Sequence, residues 1–188
     1  MTADSRILTP GVLIDRDGTL NQDLGYVWRW EDFRWLEGAP EALLALKKAG
    51  LAIAVVTNQS GVARGLYREE DVSLLHERVN QDLFERVGVR IDAFYFCPHL
   101  PMAGCQCRKP SPFMLRKAAE DLGLELSRSY MVGDKLLDYQ AGVNAGVRLS
   151  VLVRTGYGQG QEASLPAGAV VSDNLAEAAR LIVSDAGF

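Results

Sequence analysis

Short apolar runs that stop abruptly at polar residues, alternating with longer segments of helical periodicity, constrain this chain more than any other feature. Gly11-Val12-Leu13-Ile14 ends at Asp15, and the run from Leu51 to Val56 ends at Thr57-Asn58. Runs apolar at every position suit strands covered on both faces. Between these two, leucines and alanines recur at helical spacing from Pro40 to Lys48, with Gly50 just past the end. The alternation continues with a helix around Glu69 to Val87, a strand at Ile91 to Phe96, a helix from about Pro112 to Leu122 and a strand at Tyr130 to Val132. A helix through about Ala145, a strand at Leu149 to Val153, a short strand at Ala169 to Val171 and a closing helix near Asn174 to Val183 complete it. Only Thr155 to Gly168 reads as a loose loop. This pattern predicts an α/β fold, doubly wound about a mostly parallel sheet. At 188 residues and 48% hydrophobic, the chain suffices for one buried core and not for two ordinary domains, so residues 1–188 are expected to form one domain.

Open sheets of this kind bind ligands beyond the carboxyl ends of their strands. That rule gathers Asp15 and Asp17 after the first strand, Thr57 and Asn58 after the second, Arg108 and Lys109 on the loop after the third, and Asp134 after the fourth. The net charge is −4 with no basic run, which gives nothing to draw the chain to nucleic acid or an anionic membrane. No apolar stretch approaches membrane-spanning length, and Met1 to Pro10 has neither the basic start nor the apolar centre of a secretory signal. The expected ligand is a small molecule and the expected location the cytoplasm; no partner protein is legible.

All three cysteines and one of the two histidines fall within eleven residues, as Cys97, His99, Cys105 and Cys107. Three thiolates and an imidazole are the donor set that tetrahedral Zn²⁺ prefers, and a structural site uses all four positions. The alternative, a disulfide with a spare thiol, is opposed by the odd cysteine count and the lack of a signal segment. The expectation is a structural Zn²⁺ that staples the loop and so fixes the two cations that follow it, Arg108 and Lys109.

Asp15-Arg16-Asp17-Gly18-Thr19 sets two carboxylates two positions apart beside a glycine. An EF-hand calcium loop needs Gly at its sixth position and Glu at its twelfth, whereas here Gly18 is fourth and Tyr26 twelfth, after a strand instead of a helix. Paired carboxylates at a strand end, with Asp134 nearby, make a hard oxygen site suited to Mg²⁺ and to a phosphate dianion, and one of them can attack phosphorus. Taken singly, Thr57 passes for a turn or cap, Lys109 for a solvated charge and Gly133-Asp134 for a turn. His76, on an expected helix, reads as structural or solvated. The aromatics Tyr26, Trp28, Trp30, Phe33 and Trp35 read as cover for the sheet edge, with Tyr26 near the site.

Asp15-Arg16-Asp17-Gly18-Thr19, Thr57, Lys109 and Gly133-Asp134 resemble, in order and across nearly the whole chain, the four motifs of haloacid dehalogenase-like phosphatases. The resemblance implies a Rossmann-like core with Asp15 as nucleophile, Asp17 as general acid and then base, and Thr57 and Lys109 as phosphate holders. It implies Mg²⁺ bound by Asp15, Asp134 and the backbone carbonyl of Asp17. Relatives with a large cap domain insert it after the first motif or between the second and third. This chain has room for neither, so short loops must read the substrate.

Within the family, Cys-x-His followed by Cys-x-Cys-Arg-Lys-Pro looks like the branch whose members act on D-glycero-D-manno-heptose 1,7-bisphosphate or on histidinol phosphate. Asp23-Leu24-Gly25-Tyr26-Val27, the run from Thr57-Asn58-Gln59-Ser60 to Arg64-Gly65, and Gly133-Asp134-Lys135 are similar to the heptose enzymes. The five residues between His99 and Cys105 resemble the shorter loop of the histidinol-phosphate enzymes. Three segments against one loop length favour the sugar bisphosphate. The resemblance then implies that Asp23, Leu24, Gly25 and Tyr26, together with Thr57, Asn58, Gln59 and Ser60, contact sugar and phosphate. Arg64, Arg108 and Lys109 are the expected cations for the phosphates, and Lys135 steadies the acidic cluster. A reading from another class is a zinc-bound scaffold or sensor with vestigial activity, since fold does not fix function.

Overall fold

Gly11–Ile14 (β1) is buried at every residue, as a run apolar on both faces requires. In the computed structural model, which describes residues 8–187, β1 lies between Ala52–Asn58 (β2) and Tyr130–Gly133 (β4). Ala93–Cys97 (β3) pairs outside β2, while Leu149–Val153 (β5) and Val170–Ser172 (β6) continue from β4. The order β3-β2-β1-β4-β5-β6, parallel throughout, is the strand order of the Rossmann fold. Helices Ala39–Lys48 (α1), Glu69–Val87 (α2), Phe113–Leu122 (α3) and Leu136–Ala145 (α4) link successive strands. A single turn of helix, Gly158–Gln161 (α5), falls between β5 and β6, and Leu175–Asp185 (α6) follows the last strand.

Side chains alternate along each strand and so divide between two apolar layers. Val12, Ile14, Ile53 and Val55 face one built with Leu43 and Leu46 of α1, Val79 and Leu83 of α2 and Ile182 of α6. Leu13, Ala54, Val56 and Met131 face the other, with Met114 and Leu115 of α3 and Ala141 of α4. Full burial of one such leucine contributes about 1.5–3 kcal/mol, so helices on both faces hold the strand ends in place.

Three boundaries differ from expectation for physical reasons. β2 runs on past Val56, because Thr57 and Asn58 still pair with Phe96 and Cys97; two site residues therefore sit on the strand itself. β3 begins at Ala93 and not at Ile91, because the Asp92 side chain accepts from the Ile53 amide at 2.7 Å and Asn80 occupies the backbone of Ile91. The stretch from Thr155 to Gly168 is more ordered than a loose loop, with α5 and a 3-10 turn at Glu162–Ser164. Trp30, Phe33 and Trp35 pack against the first core layer instead of fringing the sheet. The connections from β1 to α1 and from β2 to β3 carry no inserted domain. Among the described residues no helix is long and apolar enough to cross a membrane; residues 1–7 of the Met1 to Pro10 stretch lie outside them.

Candidate active site

β1 and β4 are neighbours, yet the sheet grows in opposite directions from them, so the crevice beyond their carboxyl ends is the topological switch point. Asp15 and Asp134 leave these two strands into it. The Lys109 ammonium lies between Asp15 and Asp138, 2.6 Å from Asp15 Oδ1 and 2.6 Å from Asp138 Oδ1, and donates to the Val56 carbonyl at 2.7 Å. Each of its three protons thus has an acceptor. Burial alone would depress the Lys109 pKa; Asp138 and Asp15 more than offset this and raise it.

Asp138 was not among the expected site residues. It lies one helical turn beyond Asp134, a spacing that puts both carboxylates on one side of α4's start and was the available signal. Its second oxygen accepts from the Lys135 amide at 2.9 Å, so the same side chain caps the helix.

Asp15, Asp134 and Asp138 present oxygens within 4.8 Å of one another, and all three are buried. Asp134 Oδ2 accepts from the Tyr157 amide at 2.9 Å; Oδ1 has no hydrogen-bond partner, the Lys135 ammonium being 3.8 Å away. Burial, reinforced by the Asp15 charge, pushes the Asp134 carboxyl up to about 8. Burial also pushes Asp15 up to about 6, although Lys109 pulls it down, with Asp138 adding to the rise. A buried, unpartnered oxygen among mutually repelling carboxylates is what a hard cation satisfies, and an all-oxygen donor set fits Mg²⁺. The backbone closes tightly around Asp134. Gly18 and Gly156 have φ of +88° and +57°, and a Cβ on either would lie 2.2 Å from Asp134 Oδ2.

Asp17 stands apart from this trio. Its Oδ1 accepts from Arg16 Nη2 and Asn21 Nδ2, each at 3.0 Å, and its Oδ2 from Arg16 Nη2 at 2.9 Å and Gln59 Nε2 at 2.8 Å. Burial works against its charge, but Arg16, Asn21 and Gln59 hold the carboxyl below its usual range. Arg16 is itself fully buried; it donates to the Val27 carbonyl at 2.5 Å and meets His76 Nε2 at 3.3 Å. A guanidinium only donates, so that ring nitrogen must accept. Burial, then the Arg16 charge, holds His76 down to about 3, which makes it a neutral structural histidine.

A cleft of about 330 Å³ joins these groups. The buried Asp15, Thr57 and Lys109 line it, as do Asn58, Ser60 and Arg108. Asp23, Gly25, Tyr26 and Lys135 line it too, and Lys135 Nζ pairs with Asp23 at 3.1 Å. Tyr26 has a φ of +54°, a left-handed conformation that strains a non-glycine residue by about 1–2 kcal/mol at the cleft wall. Gln59 also borders the cleft, but its buried amide is taken up by Asp17, Thr57 and Tyr67. Two expected contact residues do not line it: Leu24, 61% exposed, and Arg64, whose guanidinium lies 5.9 Å from the Tyr26 ring. Tyr67 and Tyr157 line it unforeseen. Tyr157 arrives from the stretch read as a loose loop, its ring 4.8 Å from Lys135 Nζ, and no spacing in the sequence points to it.

Beside the cleft, the cysteine loop converges. Cys107 Sγ is 3.0 Å from Cys97 Sγ and 3.3 Å from His99 Nδ1, and Cys97 Sγ is 3.6 Å from Cys105 Sγ. Zinc–sulfur bonds of about 2.3 Å give a tetrahedron with edges of about 3.8 Å, close to the 3.6 Å and 3.7 Å that separate Cys105 Sγ from Cys97 Sγ and Cys107 Sγ. The three cysteines are free thiols, gathered around a common point with the imidazole. Arg108 Nη1 donates to the His99 carbonyl at 3.1 Å, which ties the cleft's guanidinium to this loop.

Residues 13–141 match the family profile described as polynucleotide kinase 3 phosphatase, and residues 106–178 the one described as HAD-hydrolase-like. A D-glycero-beta-D-manno-heptose-1,7-bisphosphate 7-phosphatase from Photorhabdus laumondii is 44% identical over 170 residues, 87% of this chain and 90% of the relative. The enzyme of the same name from Escherichia coli (strain K12) is 46% identical over 154 residues, 78% of this chain and 80% of the relative. A solved D,D-heptose 1,7-bisphosphate phosphatase from B. bronchiseptica, complexed with magnesium and phosphate, has a TM-score of 0.87 and 36% identity, covering 94% of this chain and 99% of that one.

Proposed function

This chain belongs to the haloacid dehalogenase-like phosphatases, and from that premise we propose that it removes the 7-phosphate of D-glycero-β-D-manno-heptose 1,7-bisphosphate through a phosphoaspartate on Asp15. The observation that carries the reading is the Lys109 ammonium, buried and 2.6 Å from Asp15 Oδ1. A fixed cation there keeps the nucleophile ionised and oriented, and offsets charge on the phosphoryl group as it transfers.

Asp15 attacks phosphorus opposite the sugar oxygen; the phosphorus–oxygen bond to the sugar breaks, and Asp17 gives that oxygen a proton. Asp17 then takes a proton from water, whose oxygen attacks the phosphoaspartate and frees inorganic phosphate. Thr57 Oγ1 accepts from Gln59 at 2.9 Å, which leaves its own proton to donate to a phosphoryl oxygen. Arg16, Asn21 and Gln59 hold Asp17 ionised, the form that the second half-reaction requires. An arriving phosphate dianion raises its pKa by like charge and so favours the acid form for the first. Mg²⁺, held by Asp15, Asp134 and the Asp17 carbonyl, supplies further charge neutralisation at the phosphoryl oxygens.

In the same reading Asp23, Gly25, Tyr26, Asn58 and Ser60 contact the sugar, and Arg108 takes the remaining phosphate. Zn²⁺ on Cys97, His99, Cys105 and Cys107 is structural, in a cytoplasmic protein whose residues 1–188 form one domain. The polynucleotide phosphatase profile spans the same core, but a net charge of −4 does not suit a nucleic-acid substrate. The test is kcat/KM for the heptose bisphosphate and for histidinol phosphate, measured side by side. The bisphosphate should be clearly preferred, because Arg108 repels the substrate's cationic amine. A preference for histidinol phosphate would overturn the assignment and make the short metal loop the better guide.

A further inference from the structure

The carboxylate assigned to proton transfer is held by a short buried relay. Asp17 Oδ2 accepts from Gln59 Nε2 at 2.8 Å, the same nitrogen donates to Thr57 Oγ1 at 2.9 Å, and Gln59 Oε1 accepts from the Tyr67 hydroxyl at 2.8 Å. Gln59 is 2% exposed and Tyr67 5%. Both N–H groups and the carbonyl of the amide therefore have partners inside the protein. Turned end for end, the amide would aim its oxygen at an anionic carboxylate and leave a buried acceptor opposed to an acceptor. The Asp17 carboxylate, which only accepts, fixes this orientation, and the Tyr67 hydroxyl holds it by donating to Oε1.

Tyr67 is clamped in that position from two sides. The Trp28 ring stacks on it with centroids 5.9 Å apart and planes 23° apart. On the other side, a Cβ on Gly61 would lie 2.2 Å from Tyr67 Cε1, so the ring reaches Gln59 only because residue 61 has no side chain. The loop from Gln59 to Tyr67 closes on itself and presents a fixed donor to Asp17.

We infer that Tyr67 and Gln59 are positioning residues for phosphoryl transfer: Tyr67 locks the Gln59 amide, which sets the Asp17 carboxyl toward the leaving oxygen and leaves the Thr57 proton free for the phosphoryl group. The inference rests on the phosphatase reading above and extends it to two residues that act through others. It has a consequence that general weakening of the fold lacks. A sugar alkoxide is a poor leaving group and needs the Asp17 proton, whereas p-nitrophenolate departs with little help. Because kcat/KM reports the steps up to and including phosphoryl transfer, a misaimed Asp17 should hurt the sugar phosphate selectively.

The experiment compares kcat/KM of wild type and Tyr67→Phe on heptose bisphosphate and on p-nitrophenyl phosphate. Tyr67→Phe keeps the ring and its stacking and removes only the hydroxyl. The sugar phosphate should fall by about tenfold or more and p-nitrophenyl phosphate by about twofold, a fraction of the roughly 10²–10⁴-fold that a general acid supplies. In an Asp17→Asn background the same substitution should add little, since the residue it acts through is already disabled. Gln59→Met, similar in length, removes the donor to Asp17 without adding a charge or claiming the Thr57 proton and should show the same skew, which serves if Tyr67→Phe does not fold. Equal losses on both substrates, or full additivity with Asp17→Asn, would overturn the positioning role while leaving the phosphatase reading intact. Wild type that hydrolyses neither substrate would sink the phosphatase reading, and the inference with it.

Discussion

Two clusters of ligating side chains stand at the carboxyl edge of one sheet, built on opposite terms. Asp15, Asp134 and Asp138 offer hard oxygens from two strand ends and a helix start, all of them buried. Cys97, His99, Cys105 and Cys107 offer sulfur and nitrogen, all but Cys97 from a loop, and only Cys97 is buried. The oxygen cluster is incomplete in itself, since Asp134 Oδ1 has no hydrogen-bond partner and two acids share Lys109. The sulfur cluster closes on itself, with four donors for a tetrahedral ion and no position left over. Chemistry belongs where rigid elements hold charges short of satisfaction; donors that complete one another make a staple. Arg108 connects the two, directly following Cys107, bonded to His99 and lining the cleft.

The comparison breaks first at the nucleophile. Asp15→Asn should lower turnover by about 10³-fold or more and leave no phosphoenzyme in rapid-quench mass spectrometry, whereas variants of the cysteine loop should still form one. Next in size is Lys109→Met, which leaves Asp15 and Asp138 facing each other, buried, without their cation. Breaking a buried pair in this way costs about 3–5 kcal/mol, so urea unfolding should show a loss of that order together with the loss of activity. Near-normal stability would mean that the acids share a proton and the charges drawn here are wrong.

Smaller effects belong to the staple. Protein purified without added metal should carry about one zinc per chain by elemental analysis, and Cys107→Ser should lose it. Because metal binding orders the loop and not the sheet, the urea midpoint should move little. The functional readout is Arg108. Arg108→Ala removes a charge-assisted contact of about 1.5–3 kcal/mol, and kcat/KM for the bisphosphate should fall roughly ten- to a hundredfold, more than for p-nitrophenyl phosphate. Cys107→Ser should reproduce part of that fall. If it leaves the bisphosphate unaffected, the loop does not position Arg108.

Most of this was legible because it depends on strand ends and donor chemistry. Asp15, Thr57 and Asp134 were found from apolar runs that stop, and the cluster of Cys97, His99, Cys105 and Cys107 from softness and crowding. What escaped depends on the third dimension. Asp138 was hidden in an ordinary helix start, where a capping role masks its pairing with Lys109. Tyr67 and Tyr157 come from loops whose paths no periodicity sets, and they reach the cleft through backbone turns. Arg64 and Leu24 were expected at the cleft from neighbouring residues in their segments, but Leu24 is exposed and Arg64 lies over the Tyr26 ring without lining the cleft. His76 read as structural or solvated; the fold buries it, and its partner was out of view: a fully buried arginine between Asp15 and Asp17 in the sequence.

That pair gives the smallest and most local prediction, one that touches the cleft side alone. His76, 4% exposed, stacks on Phe94 with ring centroids 4.6 Å apart and accepts from Arg16, which in turn holds Asp17. Burial disfavours the charged ring and protonation would set a second cation against the buried guanidinium, so the His76 pKa lies at about 3 in the fold against an ordinary 6.5. Between these values the unfolded chain binds the proton and the folded one does not. The histidine's share of stability is therefore complete above about pH 6.5 and is lost as the pH falls toward 3, at up to about 1.4 kcal/mol per unit. His76→Gln keeps an acceptor for Arg16 and removes the titration. The stability difference between wild type and this variant, from urea unfolding, should shift against wild type by roughly 2 kcal/mol between about pH 7.5 and pH 5. Zinc content should not change, since the cysteine loop lies outside this network. A difference that stays flat with pH would mean that His76 is not held neutral and that Arg16 finds its acceptor elsewhere.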